Sequence, residues 1–182
     1  ILPKFSPDGK RLAFSSKRLN DDLDIFMIYL NKADALKSKA DFERETDLAS
    51  LKKKKKNKDS LLVTVDFDRI HERIKRITAL EGDERLQGFA DQNSIIFARQ
   101  VDDFSDLYSV DEWKREEIRL TEKNVNPKHT HIKSKTIYYI NQSGNVESIE
   151  SSGKSTKSFK LNGDYTNSQK SLRELVFLEV WQ

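Results

Sequence analysis

The sequence contains no cysteine, three histidines and only six glycines among its 182 residues. Without cysteine there are neither disulfides nor thiolate metal sites, and the redox compartment stays open. The few glycines are scattered at turns, so no glycine-rich loop is present to cradle a phosphate. No run approaches the roughly 20 apolar residues of a membrane-spanning helix. Net charge is small, +3, which gives no general electrostatic case for nucleic acid as a partner. Charged residues make up 35% and the mean hydropathy is −0.75. The apolar residues nevertheless fall in strand-length runs, which argues against wholesale disorder.

The organising stretch is Pro3 to Leu30. Phe5 closes a short strand, and Ser6-Pro7-Asp8-Gly9 is a tight turn, with proline presetting φ and glycine taking the exit conformation. Lys10 to Ser16 reads as a second strand, Arg18 to Asp22 as a polar loop, and Asp24 to Leu30 as a third strand rich in Ile, Phe and Tyr. The pattern returns. Phe89 to Arg99 repeats the turn and second strand in degraded form, and Asp106-Leu107-Tyr108-Ser109-Val110 matches Asp24 to Ile28. A third copy comprises Pro127 to Ile132, Lys135 to Ile140 and Gly144 to Ile149. Phe89 and His131 are 42 residues apart, and Phe5 and Phe89 are 84 apart, one unit plus an insertion. A period in the low forties with about four strands per unit is the spacing of propeller blades.

Phe5-Ser6-Pro7-Asp8-Gly9-Lys10-Arg11-Leu12-Ala13-Phe14, followed by Asp24-Ile25-Phe26, resembles the TolB-type or PD40 propeller repeat. Two further stretches are similar to tricorn-like serine proteases of the C-terminal processing peptidase family. Val65 to Ile77 resembles the "D-L-x-G-I-x-x-R" strand of those propellers, with Arg69 where glycine is usual, so the turn is expected to be made differently. Arg173 to Trp181 looks like the helix that leads from the propeller into the catalytic half. The resemblance covers nearly the whole chain apart from about 33–60. It implies a non-catalytic propeller portion that admits, gates or positions peptide substrates. It also implies two partners, a peptide or protein substrate and a catalytic domain of the same parent. Bacterial relatives of this kind are commonly exported to the periplasm, whereas archaeal tricorn is cytoplasmic. A TolB-like protein-interaction module is the alternative.

The expected architecture is all-β, a partial β-propeller of about three four-stranded blades. Residues 1–163 hold the blades, about 1–80, 84–121 and 125–163, and 164–182 form a linker and C-terminal helix leading to a catalytic domain. Residues 33–60 interrupt the first blade. Ala35 to Leu51 has helix-forming composition, with Leu36, Ala40, Phe42 and Leu48 loosely spaced for one face, and the lysine run Lys52 to Lys58 reads as a solvated loop. Leu61 to Phe67 alternates like a strand, and Arg69 to Glu72 reads as a bend. Asn167 or Ser168 can cap the final helix, whose apolar positions are Leu172, Leu175, Val176, Leu178 and Trp181. The chain starts Ile1-Leu2-Pro3 inside a repeat, as a piece of something longer would. Three blades do not close a ring, so open edges invite edge-to-edge association of two copies.

No catalytic constellation is legible. His129 and His131 share a strand face and could join a metal site only with further ligands, and His71 falls in the bend. Asp21-Asp22-Asp24 and Asp102-Asp103-Asp106 are acidic clusters before a strand, without EF-hand spacing. Asp24 and Asp106 are expected to make the same local turn hydrogen bonds in each blade. No serine sits in an activated setting. The reading therefore assigns no catalytic, cofactor or metal residue.

Overall fold

The computed structural model describes residues 3–19, 21–52, 63–122, 124–154 and 156–159. The expected C-terminal helix and most of the lysine run lie outside the described residues. Three four-stranded antiparallel sheets follow one another along the chain. The first contains β1 (Lys4–Phe5), β2 (Arg11–Ser16), β3 (Asp24–Tyr29) and β4 (Ile74–Arg76). The second contains β5 (Asp83–Phe89), β6 (Ser94–Val101), β7 (Phe104–Asp111) and β8 (Glu117–Arg119). The third contains β9 (Thr130–Lys133), β10 (Thr136–Ile140), β11 (Val146–Glu150) and β12 (Lys157–Phe159). Within each sheet the strands are hydrogen-bonded in sequence order. The first strands β1, β5 and β9 lie side by side, so the sheets pack like propeller blades.

The period-two side-chain alternation of the central strands gives each sheet two apolar faces. Ala13, Ile25, Met27 and Tyr29 of the first sheet meet Leu86, Ile95, Phe97 and Val110 of the second. The opposite face of the second sheet, Ile96, Ala98 and Leu107, meets Ile137, Tyr139 and Ile149 of the third. Two seams result, each with an apolar layer between neighbouring sheets, and this repeated burial holds the sheets together.

The insertion leaves the first sheet after β3 as two helices, α1 (Lys32–Ala35) and α2 (Lys39–Lys52), where the sequence suggested one. The break has a local cause. The Ser38 side chain accepts from the Asp41 amide at 3.4 Å, and the Asp41 carboxylate accepts from the Ser38 amide at 3.0 Å. This reciprocal cap starts a new helix. Leu36 and Leu48 are 88% and 50% exposed, and among the described side chains of α2 Phe42 is the buried anchor. Its ring lies 6.0 Å from Tyr29 and 5.7 Å from Trp113, with Arg11, Lys10 and Lys37 over it at 5.3, 5.6 and 5.6 Å. The helix is thereby fastened across the first seam.

Two expectations for the return path are corrected. Residues 63–67 are not a strand; the fourth strand is Ile74–Arg76, paired with Phe26 to Ile28. The Asp66 amide donates to Leu30 O at 2.9 Å, one isolated bond. Carbonyls on both sides are served by buried Arg73, whose guanidinium donates to Tyr29 O at 3.0 Å, Asp68 O at 2.8 Å, Asp66 O and, as a second donor there, Leu30 O at 3.3 Å. A side chain thus does the work of a ladder. The turn at Arg69 is also not made differently: Arg69 has φ 48°, the left-handed conformation for which glycine would be the easy choice. It opens a short 3₁₀ turn, Ile70–Arg73.

Candidate functional site: the seams between blades

Each seam carries buried polar groups at repeated positions. Asp24 and Asp106 are both buried; Asp24 opens β3 and Asp106 is the third residue of β7. Each carboxylate pairs with an arginine on the fourth strand of its own sheet, a partner beyond the local turn that the sequence suggested. Arg76 reaches Asp24 at 2.8 Å, and Arg119 reaches Asp106 at 2.6 Å. The register explains the equivalence, because Phe26 lies opposite Arg76 and Tyr108 opposite Arg119, each two residues beyond its aspartate. A threonine beyond each arginine completes the unit, Thr78 Oγ1 accepting from the Ile25 amide at 3.0 Å and Thr121 Oγ1 from the Leu107 amide at 2.9 Å. In the third sheet the corresponding register places Asn145 and Ser158, so acid and base are absent together.

The first seam holds more. Arg11, fully buried, donates to Glu112 from beyond β7, to Asn93 at 3.3 Å and to Asp8 at 3.1 Å. The Tyr29 hydroxyl also donates to Glu112. Burial, then the Glu112 carboxylate, pushes the Tyr29 phenol well above its ordinary value. Glu84, on β5, is fully buried as well; it accepts from the Ile25 amide at 3.3 Å and from the Thr78 hydroxyl. Burial is the main cause that raises Glu84 to about 7. The Thr78 hydroxyl and the Ile25 amide act against it, and Asp24 adds to it.

The second seam opens into a groove of about 680 Å³, lined mostly by polar side chains. Its origin lies in the repeat. The first two sheets carry stacked cross-strand aromatic pairs, Phe14 with Phe26 at 5.9 Å and Phe97 with Tyr108 at 5.6 Å. At the same register the third sheet has Tyr139 opposite Glu147. The Tyr139 hydroxyl donates to Glu147 at 2.7 Å, and Asn141 Nδ2 donates to its other oxygen at 2.9 Å. Burial, then Glu147, raises the Tyr139 phenol above its usual value. Where the other blades stack two rings, this one presents a phenol, an amide and a carboxylate to the groove.

The three histidines form no centre. His129 precedes β9, His131 lies on it and His71 is in the 3₁₀ turn, all exposed. Among the described residues no group of three or more His, Cys, Asp or Glu is gathered as a metal site, and no helix is long and apolar enough to cross a membrane. Asp22 accepts from the Gly82 amide at 3.2 Å, and Asp102 sits at a turn with φ 52°. Sequence reasoning missed Arg11, Glu112 and Glu84. For Arg11 and Glu112 a signal existed, since charged residues interrupt apolar strand text; nothing local marks Glu84.

Three successive four-stranded antiparallel blades packed through their first strands make the fold that of a β-propeller portion. Solved structures agree. The chain matches a structure described as TolB from Agrobacterium tumefaciens with TM-score 0.55 and 17% identity over 87% of this chain and 45% of that one. It matches TolB from Acinetobacter baumannii with TM-score 0.53 and 16% identity over 90% and 32%. It matches the tricorn protease with TM-score 0.55 and 17% identity over 87% and 17%. The chain therefore spans less than half the length of each. No protein-family model matches the sequence, and no curated protein matches it.

Proposed function

We propose that this chain is a non-catalytic propeller portion of a tricorn-like serine peptidase, and that it admits or positions peptide substrates. The observation that carries the reading is the polar groove at the second seam, set in blades of the type found in the tricorn protease structure. Hydroxyl, amide and carboxylate groups at Tyr139, Asn141 and Glu147 suit the backbone of an extended peptide, which needs both donors and acceptors. The catalytic domain would belong to the same parent, and a periplasmic or secreted location would suit a bacterial parent. Fluorogenic peptides test the reading directly: the chain should bind unstructured peptides without cleaving them. Turnover that survives repurification refutes it.

The alternative is a TolB-like interaction module binding a protein partner, favoured by the two TolB structures of similar TM-score. The parent coding sequence past Gln182 separates the two. A serine-peptidase domain there supports the first reading, and an early stop supports the second. Two copies are also expected to associate along open strand edges, which a clean monomer in light scattering would exclude.

A further inference from the structure

The first seam contains two fully buried carboxylates, Asp24 and Glu84, and a guanidinium, Arg76, paired with Asp24. Arg76 is committed to Asp24 through both carboxylate oxygens, each 2.8 Å away. Glu84 comes from the other sheet. Its main-chain amide donates to Leu23 O at 2.7 Å, and its side chain accepts from the amide of Ile25 on β3 and the hydroxyl of Thr78 just past β4. The other charged groups nearby are occupied. Asp83 accepts from the Leu23 amide at 3.1 Å, and Asp22 from the Gly82 amide at 3.2 Å. Arg99 lies opposite Glu84 in the ladder but donates to Glu81 O at 2.8 Å and covers the Tyr108 ring at 5.8 Å. Among the described residues no second cation is therefore aimed at Glu84, and an ionised Glu84 would stand in a buried layer beside the Asp24 charge with no cation of its own.

The second seam is the internal control. There Asp106 has Arg119 and Thr121 to itself. The residue whose amide bonds Ser105 O, as that of Glu84 bonds Leu23 O, is Asn126, exposed and uncharged. Around the Asp–Arg–Thr unit the two seams share a plan, and there the first carries a buried acid, Glu84, where the second carries Asn126.

We propose that Glu84 is a proton-operated latch between the first two sheets, tight when its carboxyl is protonated and weakened when it is ionised. The raised value of about 7, against the ordinary 4.5, sets the direction. A group held up in the folded state gives its full stabilisation below 4.5. It loses that stabilisation as pH rises to about 7, and nothing further changes above. The predicted weakening is up to tenfold per pH unit inside that window, and a few hundredfold across it.

The test is amide hydrogen exchange on the full chain from pH 4.5 to 8, corrected for the intrinsic exchange rate. Protection of the peptides covering 23–30 and 77–86 should fall across the window, while that of 105–110 and 120–126 holds level. Glu84→Gln should flatten the first-seam profile and leave the second unchanged. Equal loss at both seams, or an unchanged profile in Glu84→Gln, overturns the proposal. Where Glu84→Gln does not fold, Thr78→Val carries the test. It removes a hydroxyl that favours the ionised form, so the upper edge of the window must move to higher pH while the lower edge stays, and an unmoved upper edge is equally fatal.

Discussion

Removing Glu112 should cost this chain far more than removing a surface carboxylate. Arg11 is fully buried, and Glu112 is its closest partner. In Glu112→Ala the guanidinium keeps, among the described residues, hydrogen bonds to Asp8 at 3.1 Å and Asn93 at 3.3 Å and its place over the Phe42 ring. Breaking a buried pair by deleting one member typically costs about 3–5 kcal/mol. Asp8 retains part of the neutralisation, so the lower end, about 3 kcal/mol, applies to the arginine. The Tyr29 hydroxyl loses its acceptor too, adding about 1 kcal/mol. For a chain of this size, about 4 kcal/mol lowers Tm by roughly 8–16 °C, read by circular dichroism at neutral pH. The companion is Arg11→Met with Glu112→Leu, which removes both charges. Asp8 there still accepts from the Ser6 hydroxyl at 2.5 Å and the Lys10 amide at 3.1 Å. The double variant should recover most of the loss, because a buried pair contributes little against an apolar pair of similar volume. A loss below about 1 kcal/mol in Glu112→Ala, or a double variant no better than the single, would show that the pair is not a buried, mutually dependent unit.

Other outcomes follow from the same geometry. Phe42→Ala should free α2 from the first seam at a cost of about 3 kcal/mol, with hydrogen exchange rising over 39–48 and unchanged in the third sheet. Gly82→Ala should destabilise by more than about 1 kcal/mol in urea unfolding, because φ is +93° and a Cβ would sit 2.2 Å from Gln100 O. Asp24→Asn should be costlier than Asp106→Asn in the same assay, since the Arg76 side chain is 30% exposed and that of Arg119 is 50%, where water can replace the lost partner.

The fold was legible because strand text repeats. Phe5 to Phe14, Phe89 to Arg99 and Lys135 to Ile140 announce their turns and alternation, and these became β1–β2, β5–β6 and β10. The blade's last strand was harder. Val63-Thr64-Val65-Asp66 alternates like a strand, yet the ladder is taken by Ile74–Arg76, which continues directly into the Thr78 site. Alternation marks a residue that can be half-buried, not one with a free edge to pair against. The repeated Asp24 and Asp106 were visible as architecture; their partners were not, because Arg76 lies 52 residues away across an insertion. Glu84 was invisible for another reason. At the boundary of a turn it looks like any solvated acid, and only the docking of a second sheet makes it a buried one.

The Arg73 clamp has a consequence for how such a chain can diversify. The Leu30 carbonyl and the Asp66 amide close the neck of the insertion at 2.9 Å, and Arg73 binds backbone oxygens on both sides of that neck. Whatever the chain does between these two points, β3 and β4 receive the same anchor positions. Loop-closure entropy grows only slowly with length, about 0.6 kcal/mol per doubling. The neck is thus a splice point at which evolution can exchange one cassette for another while the blade keeps its shape.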